Sequence, residues 1–572
     1  MVRVALDAGG LSRYRLPGVP PYNLLNVTTP LLFFFLAADT QTIRLLQTTD
    51  MHGYLAPYDY FAARPANRGL AKVATLIRQA RAERPASLLI DCGDTIQGSP
   101  LETVHQTAVR AGKTTRPDPM MTAMNALKYD AMVVGNHEYN YGLPNLRLAQ
   151  KQARFPWLSA NTTNTGGAGF VPYILKTVSG VRVAIIGLTT GGIPNWERPE
   201  HYRGLAWEDQ VEAARRTLTA VAAKKPDVTV LAVHGGLDRD LKTGRVMPGQ
   251  LANDNMVFQL AQAFPKVDVI LYGHSHVADA GTKIGDVLVV QARNWAQSLA
   301  VVDLDLARDG KGWRVVRKRS QLVPVTEQVA ADPETKRLAA PYHEATEAYL
   351  KTPVAESAAE LSGALGRFQD SAVVDAIHEV QLHYTKADVS LTALFQPSVR
   401  IPKGPVTVRE MAALYPFDNE LYTVEGDGRM VREALENAAK FFLTCVDAAC
   451  AQGPLINTAM PGFNFDMAQG VSYEIDLTAP VGGRVKKLMY HGLPLADDQP
   501  LRLALNNYRA AGSGGYEMFR RGKIVWRSGR EIRDLLIEYY TGKKRLPAEA
   551  DGNWRITPTG ALETLMRSGA GL

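Results

Sequence analysis

Cysteine is scarce, with three residues in a chain of 572. That excludes a small disulfide-stapled scaffold, and the spacing of Cys92, Cys445 and Cys450 excludes a zinc ribbon. No apolar run past the N-terminus reaches the ~20 residues a membrane helix needs, so no transmembrane anchor is expected. Long basic tracts are missing despite a formal net charge of +7. This argues against binding of nucleic-acid polymers and mildly favours small anions. Internal repeats and low-complexity tracts are also absent. What remains is a soluble globular composition, 46% hydrophobic and 21% charged. A chain of this length exceeds one ordinary core and implies at least two domains.

Residues 1–41 stand apart. Arg3, Arg13 and Arg15 precede a proline-broken stretch and then Leu31-Leu32-Phe33-Phe34-Phe35-Leu36-Ala37-Ala38. A charged start, apolar middle and small-residue end resemble a secretory leader, so a periplasmic or secreted location is expected. In such a compartment Cys445 and Cys450 are close enough to close a small disulfide loop, with a free pair as the alternative. Cys92 reads as a small buried hydrophobe.

Apolar, β-branched runs recur at 43–47, 88–90, 131–134, 181–188, 228–233, 267–271 and 287–290. Helical patterns at 69–83, 120–128 and 207–222 separate several of them. This predicts an α/β domain over residues 42–329, with sheets covered by helices and functional loops at carboxyl strand ends. A parallel sheet and a two-sheet sandwich both satisfy the pattern. A charged helical linker is expected at 330–356. A mixed α+β unit follows over 357–548, with helices at 370–382 and 430–442 and strands at 471–477 and 523–526. Residues 549–572 read as a peripheral tail.

Five of the apolar runs end in metal-binding side chains. Asp50 and His52 follow the first, and Gly53 lets the chain turn away beside them. Asp94 follows the second, Asn136 and His137 the third, His234 the fourth, and His274 and His276 the fifth. Carboxylate, amide and imidazole together suit manganese, iron, cobalt or zinc. With two oxygens, Asp94 can bridge two ions, whereas Asp91 suits capping its own turn. His274 and His276 either face one ion or divide between two. The seven groups suffice for a pair of divalent ions that activate water against a phosphate. His137, beside Asn136, reaches over such a phosphate as general acid or as a charge-stabilising cation. Glu138 is expected to orient a neighbour.

This ordered set, with Gln97-Gly98-Ser99-Pro100 after Asp94, resembles the calcineurin-like metallophosphoesterases and specifically the 5′-nucleotidase superfamily. The likeness covers nearly all of the chain after the leader. It implies a four-layer αββα metal domain joined by a helix to a substrate-binding domain. One ion would take Asp50, His52, Asp94 and His276, and the other Asp94, Asn136, His234 and His274. Three further segments, Tyr415-Pro416-Phe417-Asp418-Asn419, Pro461-Gly462-Phe463-Asn464-Phe465-Asp466 and Asn507-Tyr508-Arg509-Ala510, resemble the branch acting on cyclic nucleotides. So does Asn140, where the 5′-nucleotidase pattern has an aspartate beside the histidine. Gly512-Ser513-Gly514-Gly515 likewise replaces a Gly-Gly-Asp-Gly pattern. Losing that aspartate removes an anionic partner for a protonated His137.

An aromatic platform binds any nucleobase by stacking. The resemblance places Phe463 and Tyr508 around the base, with Asn464 reading a polar edge and Tyr516 as a further contact. The implied activity is hydrolysis of 2′,3′-cyclic ribonucleotides to 3′-nucleotides, and of these to nucleoside and phosphate. The alternatives are a 5′-nucleotidase or nucleotide-sugar hydrolase, and a non-catalytic nucleotide receptor. Small nucleotides are the expected partners and a monomer the expected state.

Overall fold

The computed structural model describes residues 40–567 apart from 165–168, 248–249, 311, 448 and 452–454. All but the last two residues of the expected leader lie outside this range. Two six-stranded sheets dominate the first half. The first runs, edge to edge, Gly312–Pro324, Ser298–Asp309, Thr40–Thr48, Ser87–Asp91, Ala131–Val133 and Trp157–Leu158. The second runs Asp279–Ile284, Val287–Gln291, Val269–Tyr272, Val228–His234, Val181–Thr189 and Tyr173–Val178. The strands that end at candidate ligands are parallel within each sheet.

Side chains alternate across a strand, so a run buried on both faces reads as continuously apolar. Ile43, Leu45, Leu88 and Ile90 pack between the sheets against Val183, Ile185, Val230 and Val290. Their neighbours Leu46, Leu89 and Met132 face helices Leu70–Glu83 and Pro119–Ala126. On the far side, Ile186, Leu231 and Ile270 face helices Gln210–Ala222 and Val257–Ala263. Four layers result, helix–sheet–sheet–helix, and the sandwich is the arrangement that forms. Burying each such Leu, Ile or Val contributes roughly 1.5–3 kcal/mol.

Helix Pro333–Leu350 leads into the second half, capped by Asp332, which accepts from Thr335 N at 2.9 Å and Arg78 Nε at 2.7 Å. The second half holds a five-stranded sheet, Asp466–Gln469, Val389–Ala393, Pro500–Asn506, Glu420–Asp427 and Lys523–Glu531. A four-stranded sheet, Leu493–Pro494, Val485–Tyr490, Ser472–Asp476 and Trp554–Thr557, adjoins it in sequence. Here the peripheral-tail reading is corrected. Trp554–Thr557 pairs in parallel with Ser472–Asp476, and Trp554 and Ile556 are buried. A four-residue strand has too short a pattern to read locally; its core exists only where Tyr473 lies against Trp554. Cys445 and Cys450 form a disulfide, and Cys92 is buried.

Asp370, Asp375 and Asp551 bring carboxylate oxygens within 4.8 Å of one another. Burial, with the charges of Asp370 and Asp551, pushes Asp375 up to about 7. Between about pH 4 and 7 the folded state therefore holds a proton that the unfolded chain releases, and stability falls as pH rises through that window. Asp375→Asn is expected to leave melting near pH 4 unchanged and to stabilise by about 1–2 kcal/mol at pH 8, allowing for solvent screening. Thermal melts of both proteins at the two pH values would check this; destabilisation at pH 8 would contradict it.

Candidate metal centre

Each strand end delivers its donors to one place between the sheets' carboxyl edges. Donor atoms of Asp50, His52 and His276 lie within 4.8 Å of one another, as do those of Asp94, His234 and His274. Asp94 stands between the groups, its Oδ2 3.1 Å from His234 Nε2 and 3.9 Å from His52 Nε2. Asn136 Oδ1 lies 3.0 Å from His234 Nε2. All seven residues predicted as ligands are thus brought together.

The imidazoles are oriented from behind. His234 Nδ1 is 2.7 Å from the Cys92 carbonyl, which can only accept, so Nδ1 carries the proton of the neutral ring and Nε2 a lone pair. His52 Nδ1 similarly faces Gln97 O at 3.2 Å and Gln97 Oε1 at 3.1 Å. Its Nε2 then meets His276 Nε2 at 3.0 Å. Desolvation within the cluster lowers buried His52, and His276 whose side chain stays 40% exposed, to about 4, leaving both rings neutral at pH 7. Lone pairs converging without a proton between them, beside buried carboxylates, fit bound cations. Burial also disfavours charge on Asp94, but His234 and then His137 outweigh it and hold its carboxyl well below the usual range. Conversely, burial pulls His234 down while Asp94 pushes it up to about 10. Asp94 thus draws positive charge to this side of the centre, the charge that a divalent ion held by Asp94, Asn136, His234 and His274 would supply.

The turns bearing these donors are strained. Asp50, His52, Asp94, His274 and His276 all have φ between 47° and 72°, a region that side chains other than glycine rarely adopt. Tight approach explains two glycines. A Cβ on Gly135 would lie 2.2 Å from Asp94 Oδ1, and one on Gly273 2.1 Å from Thr49 Oγ1. Buried Glu138 accepts backbone N–H groups from Gly135 at 2.6 Å, Asp94 at 2.9 Å and Thr95 at 2.6 Å, joining two ligand loops. Asp91 accepts from Thr48, Gly93 and Thr95 and caps its turn.

His137 adjoins the same centre, its ring centroid 5.2 Å from that of His52. Its backbone N–H donates to Asp94 Oδ1 at 2.8 Å, and its Nδ1 lies 2.6 Å from Asn140 Oδ1. Asp254 was absent from the residues predicted by sequence. It is buried, 3.1 Å from His274 Nε2, and held by Thr190 Oγ1 at 2.7 Å. Asp254 sits in Asn253-Asp254-Asn255, where no apolar run precedes it, so the local pattern carried no signal.

The second half closes against these loops. Asn507 Nδ2 donates to Trp196 O at 2.8 Å, Arg198 Nε pairs with Glu420 at 3.1 Å, and Gln97 Nε2 donates to Asp418. Tyr508 is half-buried and stacks on Trp196, ring centroids 5.8 Å apart and planes 10° apart. Phe463, in the turn Gly462–Asn464, is 47% exposed. Asn464 Oδ1 accepts from Arg509 Nη1 at 3.2 Å. Tyr516 is corrected: it is fully buried beneath the Arg509 guanidinium, which lies 4.4 Å from its ring centroid. Its hydroxyl donates to Asn464 O at 2.8 Å, so it holds the turn from below and offers a substrate no surface.

A helix–sheet–sheet–helix sandwich gathering two donor clusters at its strand ends defines a metallophosphoesterase. Residues 43–278 match the calcineurin-like phosphoesterases, and residues 350–521 the 5′-nucleotidase C-terminal domain. The chain belongs to the 5′-nucleotidase superfamily of calcineurin-like metallophosphoesterases. It is 30% identical to the 2′,3′-cyclic-nucleotide 2′-phosphodiesterase/3′-nucleotidase of Haemophilus influenzae, over 90% of this chain and 87% of that protein. It is 29% identical to the trifunctional nucleotide phosphoesterase of Bacillus subtilis over 97% of its own length, but spans only 42% of that longer protein. A crystal structure from Staphylococcus aureus, ascribed to a 5′-nucleotidase, superposes with a TM-score of 0.75 at 27% identity, covering 90% of this chain and all of that one.

Proposed function

We propose that this protein hydrolyses 2′,3′-cyclic ribonucleotides to nucleoside 3′-phosphates, and those to nucleoside and inorganic phosphate. The observation that carries the reading is the convergence of seven donor residues, with Asp94 between the two clusters and the His137 ring 5.2 Å from that of His52. The Haemophilus relative's activity supports the regiochemistry, as does Asn140 beside His137.

Asp50, His52, Asp94 and His276 would hold one divalent ion, and Asp94, Asn136, His234 and His274 the other. When bound, the pair supplies charge neutralisation for phosphate oxygens and lowers the pKa of a water. The chain's own residues then orient the reaction. His137 Nδ1 is committed to Asn140, so Nε2 is the atom left to reach the substrate. A proton there passes to the departing O2′ as its bond to phosphorus breaks, leaving the 3′-phosphate. In the second step His137 Nε2, protonated again from solvent, gives a proton to O3′ as nucleoside leaves. Exposed Phe463 offers its face to the base, with Tyr508 and Asn464 nearby in the second half. The Cys445–Cys450 disulfide and the N-terminal pattern support a site of action outside the cytoplasm.

Purified full-length protein with manganese or cobalt should release phosphate from 3′-AMP and convert 2′,3′-cyclic AMP through 3′-AMP to adenosine. Chromatographic product identification decides it. Preferential cleavage of 5′-AMP would replace the reading with a 5′-nucleotidase, and binding without phosphate release would indicate a receptor.

A further inference from the structure

Asn140 poses a problem of its own. An amide presents oxygen and nitrogen on nearly identical arms, so nothing within it decides which one faces His137. If the nitrogen faced the ring, Nδ1 would have to accept, the proton of the neutral ring would sit on Nε2, and the protonated ring would lose its partner.

The surroundings make the choice. Asn140 Nδ2 is 2.8 Å from Glu197 Oε2, and an ionised carboxylate can only accept. Glu197 is buried, at 8% exposure, and its other oxygen is taken by the Arg198 backbone N–H at 2.7 Å and His201 Nδ1 at 2.8 Å. It therefore has one oxygen left to offer, and that one meets the Asn140 amide. With the nitrogen drawn to Glu197, Asn140 Oδ1 must face His137, which keeps a proton on Nδ1 and directs Nε2 to the substrate. Glu197 itself lies 60 residues from His137 in sequence, immediately before Arg198, whose side chain pairs with Glu420 of the second half.

We propose that Glu197 is a positioning residue for His137: through Asn140 it supplies, one hydrogen bond removed, the anionic anchor that no side chain among the described residues places directly on the imidazole. The inference rests on the phosphoesterase reading above. A buried glutamate tied to His201 and a backbone N–H would serve equally as a fold anchor, so the test must move the chemistry separately from the fold.

Glu197→Gln, made in the native and in the Asn140→Asp background, separates the two. An amide at 197 can present its own NH2 to Asn140 and release the asparagine's orientation. In the native background, kcat on 3′-AMP, whose leaving alkoxide needs a proton, is expected to fall about 10–100-fold with KM within about twofold. On p-nitrophenyl phosphate, whose leaving group departs as an anion, the fall should be much smaller. In the Asn140→Asp background, where a carboxylate sits on His137 itself, the same change should cost less than about twofold. Manganese content and melting temperature should match the parent's.

Equal loss on both substrates, loss persisting beside Asn140→Asp, no loss at all, or a parallel drop in manganese content would each overturn the proposal. Nitrogen-15 NMR of His137 gives a readout independent of turnover: native protein should show Nδ1–H, and Glu197→Gln should lose it. If native protein hydrolyses no phosphoester, the functional reading fails, while an unchanged tautomer in Glu197→Gln would sink the Glu197 assignment by itself.

Discussion

Asp94→Asn is expected to reduce phosphate release from every phosphoester by at least ~10³-fold, roughly 4 kcal/mol of lost transition-state stabilisation. The substitution keeps the shape and removes the charge. Asp94 Oδ1 accepts the His137 backbone N–H, while Oδ2 lies between the rings of His234 and His52. An asparagine can offer one oxygen to one side only, so a group shared by two ions becomes a ligand for one. Manganese bound per chain, measured by elemental analysis, should fall from two toward one or none. The protein should still fold, since the change removes one of several nearby buried carboxylates. Full turnover with two ions retained would refute the shared role of Asp94.

Arg509→Leu is expected to destabilise the protein by about 3–5 kcal/mol, because it strands a buried carboxylate. Arg509 is 4% exposed and grips Asp466, itself 2% exposed, with Nε at 2.8 Å and Nη2 at 2.9 Å. The same guanidinium donates to Phe463 O at 2.7 Å and spans the Tyr516 ring. One cation thus holds both the buried charge and the turn that presents Phe463. KM for nucleotides should rise more than KM for p-nitrophenyl phosphate, which has no base to stack. Denaturant titration and paired kinetics measure the two effects. Adding Asp466→Leu should recover part of the stability, since replacing both partners with apolar groups removes the unpaired charge.

Much of the metal domain was legible because its signals are local. A strand buried on both faces is an unbroken apolar run, and a donor just past it lands at the sheet's carboxyl edge whichever sheet the strand joins. Asp50, His52, Asp94, Asn136, His234, His274 and His276 were all readable this way. Residues whose place depends on a distant partner were not. Tyr516 follows a glycine segment and was expected as a further contact to the base, yet it lies beneath Arg509. Asp254 and Glu197 sit in loops without periodicity, and their meaning comes from His274 and Asn140.

By itself, the sequence determined which side chains could hold ions and at which strand ends they would stand, because hydrophobic periodicity acts over a few residues. Tertiary structure alone decided which nitrogen of each imidazole faces inward. Those choices rest on hydrogen bonds such as His234 to the Cys92 carbonyl, between groups 142 residues apart that meet only when the two sheets pack.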